Sequence, residues 1–246
     1  MKPTDQERLA MSQRPEGQPL MHQTWGKLLF MHWRVDVSNV RPFVPAQIEI
    51  DTFDGSAWIA VVPFTMRDTR MLFLPPVPGL SAMHELNVRT YVHLNGEPGV
   101  WFFSLDCNSA AAVFGARTLY HLPYYNAVIS LSQSGDEIEY ALKRTDKPKA
   151  EFEATWRVGN KLPASEVGSV EFFLTERYCL YSEHDGQLYQ ARIHHPHWPL
   201  QSAEVDSFTS TMIEAQGIET PTGEPLLHYA EELKVDIWPL RRVSAG

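Results

Sequence analysis

The sequence predicts an α+β fold that is mainly antiparallel β, one large sheet curled into a cone or barrel with a few short helices. Three observations carry this. Four Xaa-Gly dipeptides separate apolar, β-prone runs. Eighteen prolines and 11% aromatic residues favour strands joined by loops. Stretches with helical character are few and short.

The elements follow in order. Residues 1–20 are polar and read as a mobile arm with a short helix after Thr4; residues 21–246 read as a single domain. A strand is expected over 25–35, then a helical turn in "DVSNVRPFV" before Pro45. Asp54-Gly55 joins strands 47–53 and 56–66, and Asn95-Gly96 joins 83–94 and 99–106. Ser134-Gly135 joins 124–133 and 136–144, and Asp185-Gly186 joins 177–184 and 187–195. Further strands are expected at 150–158, 224–229 and 231–238. So many consecutive antiparallel strands tend to curl. "NSAAAVFGARTLY" is the clearest helix, capped by Asn108 or Ser109 and stopped by Pro123. A second helix covers 168–176, and "LPPVPG" (74–79) reads as a rigid loop between strands.

Composition excludes several functions. A net charge of −9 without a basic run argues against nucleic acid. No apolar stretch reaches bilayer length, and the polar N-terminus does not read as a signal peptide. Cys107 and Cys179 lie in apolar surroundings, which suits inert thiols in a reducing cytoplasm. No nucleophile elbow, Walker loop, dinucleotide fingerprint or HExxH is present, so no cofactor is implied.

Four stretches can carry chemistry. In "HELNVRTYVHL" a period of two puts Glu85, Asn87, Arg89, Tyr91 and His93 on one face. That face is either solvated or the lining of an interior. In an apolar interior the Glu85 carboxyl would keep its proton and could donate it. In "ARTLYHLPYYNA", Arg117 ends the helix, His121 follows, and Tyr124 and Asn126 share a side opposite Tyr125. Arg117 either binds an anion or meets the helix's last carbonyls. "RIHHPHWPL" spaces His195 and His197 for one metal, but no carboxylate follows at a suitable distance, so no metal site is assigned. His32 lies in "LLFMHWRVD" as either a packed core histidine or a pocket residue.

Six ordered blocks between about Trp25 and Trp238 carry a resemblance: "FDGSAWIAVVPFTM", "HELNVRTYV", "GVWFFSLD", "ARTLYHLPY", "TERYCLY" and "HPHWPL". Together they resemble the YqjF-like family of uncharacterised bacterial proteins, which is grouped by structure with the acetoacetate decarboxylases. That resemblance implies an acetoacetate decarboxylase-like sheet curled around a pocket. Laid on the decarboxylase segment, the arginine falls on Arg117, the proline on Pro123, and the two lysines on Tyr124 and Tyr125. A pocket glutamate falls on Glu85. Schiff-base decarboxylation needs a primary amine, and a phenol supplies only a hydrogen bond. The decarboxylase reaction is therefore expected to be absent.

Two readings result. In the first, an internal pocket holds a small organic acid, a carboxylate or keto or hydroxy acid. Glu85 and Tyr124 would be its catalytic pair, Glu85 moving a proton and Tyr124 donating a hydrogen bond. Arg89, Arg117, His121, Tyr91, Asn126 and His32 would bind it. In the second, the fold serves a structural or interaction role and Tyr91, Tyr120, Tyr124 and Phe102 fill the interior. Edge strands of an open cone also invite pairing into a homodimer.

Overall fold

The computed structural model describes residues 2–72 and 82–244. The "LPPVPG" loop lies outside them. The described strands join one 13-stranded sheet, antiparallel except where β5 meets β6 and β9. Its strands are β1 (Met21–Val35), β2 (Glu49–Ile50), β3 (Ala57–Met71), β4 (Met83–Leu94), β5 (Glu97–Cys107), β6 (Tyr124–Ser134), β7 (Glu137–Arg144), β8 (Glu151–Lys161), β9 (Cys179–His184), β10 (Gln187–His194), β11 (Leu200–Ser210), β12 (Leu226–Ile237) and β13 (Arg241–Val243).

The sheet closes on itself. Pairings β5–β4 and β10–β12 complete two circuits that share β12, β1, β3, β4 and β5. One circuit is completed by β9 and β10, the other by β6, β7, β8 and β11. Apolar side chains fill both sides of the shared wall. Leu86 and Val88 of β4 pack with Ile138, Phe152 and Trp156 on one side. Phe30, Phe64, Leu105 and Ile193 pack on the other. A strand buried on both faces has few positions left for solvent, and every residue of β4 from Glu85 to Leu94 is buried.

The Xaa-Gly turns form as expected. Asn95 (φ 52°) and Gly96 (φ 83°) both take left-handed conformations, which the tight connection of β4 to β5 requires. One hairpin differs. Asp54-Gly55 reverses the chain with only a Phe53–Ser56 bridge, and β2 pairs with β4 rather than β3. The strands expected at 224–229 and 231–238 are one strand, β12. Strand β11 had no expectation: two bulges, at Gln201/Ala203 and Val205/Ser207, break its alternation.

Among the described residues, four short helices decorate the sheet: α1 (Asp5–Met11), α2 (Val37–Val40), α3 (Ala110–Tyr120) and α4 (Val170–Thr175). Ser109 caps α3 through its hydroxyl, and α4 is capped by Ser169. The arm's expected helix is α1, with a Thr4–Glu7 capping box. It lies against the sheet: Met11 is buried, and Arg8 makes a bidentate pair with buried Asp51 at 2.7 Å. No described helix is long and apolar enough to cross a membrane.

Candidate functional site

Inside the circuit completed by β9 and β10 lies a cavity of about 270 Å³. Its walls are largely apolar: Leu28 and Phe30 from β1, Val62 and Phe64 from β3, Phe102 and Leu105 from β5. A bulge in β5, where Val88 faces Ser104 but Arg89 faces Phe102, lets Phe102 and Leu105 both point inward. Helix α3 lays Ala112, Gly115, Ala116 and Leu119 along one side. Leu119 is 57% exposed, so this edge of α3 marks the mouth.

The alternation of β4 delivers the polar part. Glu85, Asn87 and Arg89 all line the cavity. The Tyr124 hydroxyl, at the start of β6, donates to Glu85 Oε2 at 2.6 Å. Glu85 is 2% exposed. Burial pushes its carboxyl up from 4.5 to about 8; the Tyr124 and Asn87 hydrogen bonds partly oppose this, and nearby Asp106 adds to it. The Tyr124 phenol is pushed well above 10, by burial first and then by Glu85. At neutral pH both groups therefore carry their protons.

Arg89 is the unusual group. It is 9% exposed, its Nε has no hydrogen-bond partner, and it makes no ion pair among the described residues. The rings of Phe30 and Tyr91 lie 5.6 and 5.7 Å from the guanidinium carbon. A guanidinium stays charged in any protein. A buried charge is unfavourable without a partner, and no described carboxylate pairs with this one. Asn87 Oδ1 and Trp198 Nε1, also in the lining residues, are buried without partners too.

The other expected residues lie elsewhere. Arg117 is on the surface, donating to the Tyr124 carbonyl at 2.6 and 2.8 Å and pairing with Asp146 at 2.9 Å. Asn126 also turns to Asp146, through its amide at 3.1 Å. His121 is the left-handed cap of α3 and stacks on His184 with centroids 4.2 Å apart, in a shallow groove outside the cavity. His32 and Tyr91 are fully buried and bonded to each other at 2.6 Å, behind the lining. Tyr125, partner of Tyr124 in the pair, packs its ring under Arg144 at 4.0 Å. His195 and His197 diverge. The His195 ring lies buried in the cavity wall, with its nitrogens at the Pro196 and Arg177 carbonyls, whereas His197 is exposed beside Glu176.

Asn87 and Arg177 line the cavity although the sequence assigned neither a binding role. Asn87 was legible, since it sits between Glu85 and Arg89 on the same face. Arg177 lines the cavity from the "TERYCLY" block and is paired to Asp51 at 2.7 Å. Burial would raise the Asp51 carboxyl, but Arg177 and Arg8 outweigh it and hold it below its usual range. Among the described residues, no lysine lines the cavity. Lys27 is half-buried and paired with Glu231, and the other lysines are exposed.

Comparison with known proteins identifies the chain's relatives. The model of DUF2071, described as an uncharacterised conserved protein, matches residues 22–234. The chain belongs to this family. The uncharacterised protein YqjF of Bacillus subtilis (strain 168) is 45% identical over 230 residues, 94% of this chain and 95% of its own. Among solved structures, the enduracididine biosynthesis enzyme MppR complexed with pyruvate is similar with a TM-score of 0.65 and 14% identity, over 93% of this chain and 92% of its own. An acetoacetate decarboxylase gives 0.61 and 18%, over 94% and 91%. The acetoacetate decarboxylase of Legionella pneumophila gives 0.60 and 14%, over 99% and 96%. At such identities the likeness fixes the fold: this DUF2071 member has an acetoacetate decarboxylase-like sheet curled into a ring.

Proposed function

We propose that the cavity binds a small organic acid, a carboxylate or a keto or hydroxy acid, without forming an imine. The unpaired Arg89 guanidinium carries this reading. An anionic ligand head supplies the counter-charge that the protein omits. Beside it, protonated Glu85, one of whose oxygens accepts from the Tyr124 hydroxyl, can donate to a carbonyl or hydroxyl oxygen. A carboxyl whose pKa lies near neutrality is suited to moving a proton in either direction. A lyase, hydratase or isomerase step on such an acid fits these groups, as does binding alone. The absence of any amine in the lining argues against Schiff-base decarboxylation. Tyr120, Tyr124 and Phe102 line a cavity of about 270 Å³, which supports an open pocket over a filled one. Cys107 and Cys179, both buried free thiols raised to about 12, fit residence in a reducing cytoplasm.

The test is a thermal-shift screen of small carboxylates and keto acids on the wild type and Arg89→Met. A rise of a few degrees that vanishes in the variant supports the reading. No rise with any acid would refute it. Borohydride added with a keto acid should leave the protein mass unchanged; a trapped adduct would restore imine chemistry.

A further inference from the structure

We infer that the acid this cavity takes carries an apolar, ring-sized group, so that the ligand is amphipathic rather than a small keto acid alone. This rests on the acid-binding reading above and goes beyond it in naming the ligand's other half.

The argument starts from the division of the walls. The polar groups, among them Glu85, Asn87, Arg89, Tyr124 and Arg177, occupy only part of the lining. Aromatic side chains make up another part. Trp25 meets Phe64 edge-on at 5.5 Å and stacks with Trp198 at 6.3 Å, and Trp198 meets Phe30 edge-on at 5.0 Å. All four line the cavity. Such a cluster presents both ring faces and ring edges to a guest, the two contacts an aromatic group prefers. Met66 and Met83 join it with flexible thioethers that mould to an irregular apolar shape.

Volume points the same way. The cavity of about 270 Å³ corresponds to roughly nine liquid waters at about 30 Å³ each. A three-carbon acid at Arg89 would leave most of that space to water held by apolar walls, which offer it few hydrogen bonds. An apolar cavity of about 150 Å³ is large enough for a benzene ring. A carboxylate head plus one ring therefore fits the space.

Helix α3 is built to leave that room. Ala112, Gly115 and Ala116 face the cavity where longer side chains would occupy it. A Cβ added at Gly115 meets no atom within 4 Å, so its small size is not forced by close backbone packing. Because Gly115 lines the cavity, a side chain there would enter open space at its edge.

The experiment is calorimetric titration of the full chain with pyruvate, phenylpyruvate and uncharged 3-phenylpropanol. Phenylpyruvate should bind on the order of 30- to 100-fold tighter than pyruvate, the gain expected from burying one ring. It should also perturb tryptophan fluorescence, since Trp25 and Trp198 would touch the ring. Gly115→Phe should lower phenylpyruvate affinity toward that of pyruvate, with a melting temperature near wild type confirming the fold. Should that variant misfold, Ala112→Phe makes the same test one turn earlier. Equal affinity for the two acids would overturn the ring-sized group and leave the acid pocket standing. Binding of the alcohol as tightly as phenylpyruvate would overturn the acid reading itself. Failure of both acids to bind would remove both.

Discussion

Glu85 offers the sharpest test, because its burial makes stability depend on pH in a direction opposite to most carboxylates. In the folded chain its carboxyl titrates near 8, and in the unfolded chain near 4.5. Below the lower value both states hold the proton and nothing is lost. Between the two, the unfolded chain releases its proton while the folded chain keeps it, so unfolding gains ground as pH rises. Above 8 both are ionised and the loss is complete. Each pH unit in the window is worth about 1.4 kcal/mol. From pH 5 to pH 8 the Glu85 contribution therefore falls by about 4 kcal/mol. Glu85→Gln keeps the shape and an acceptor for the Tyr124 hydroxyl but does not titrate. Urea denaturation of both proteins at pH 5, 6, 7 and 8 isolates the difference, since the remaining groups are common to both. The variant should gain on wild type by about 1 kcal/mol or more per unit across this range. A difference that stays flat from pH 5 to 8 would refute a protonated Glu85, and with it the proton-donating role.

Tyr124→Phe removes one of the two hydrogen bonds that hold the Glu85 pKa down. It should raise that pKa above 8 in a carbon-detected NMR titration and destabilise the fold by about 1–2 kcal/mol; a fall in the pKa would contradict the geometry. Arg117→Ala breaks only exposed contacts and should change stability by less than about 1 kcal/mol while leaving carboxylate affinity as in wild type; lost affinity would return Arg117 to the site. Arg8→Ala leaves Asp51, which is wholly buried, with Arg177 as its sole counter-charge, and should lower stability at pH 7 by about 2–4 kcal/mol in urea. A negligible loss would mean that α1 does not hold Asp51.

The sheet was legible because its signals are local. Asn95-Gly96 and Asp185-Gly186 need left-handed backbone wherever they occur, and the runs around them alternate. Strand β11 escaped because its bulges and half-exposed residues erase the period. β2 was paired to the wrong neighbour because its partner, β4, comes from some forty residues further on, a choice set by tertiary packing alone. The same contrast governs the site. The inward face of β4 follows from a period of two, so Glu85 and Arg89 could be placed together before any fold was known. Arg117 could not, because a helix-end arginine turns toward the nearest carbonyl and carboxylate, here Tyr124 and Asp146. The aromatic wall was illegible for another reason. Trp25, Phe64 and Trp198 come from separate parts of the chain and meet only when the circuit closes.

Strand β4 is also a partition between two rooms. Its even-numbered residues Leu86 and Val88 are keyed into one, and the reactive groups hang in the other. Sliding the strand by a single residue would exchange the contents of both. The hydrocarbon on the far side thus acts as a jig that fixes where the carboxyl and the guanidinium point. A designer who wishes to alter what enters the cavity can change the α3 residues that line it, but should leave alone the residues that Leu86 and Val88 grip from behind.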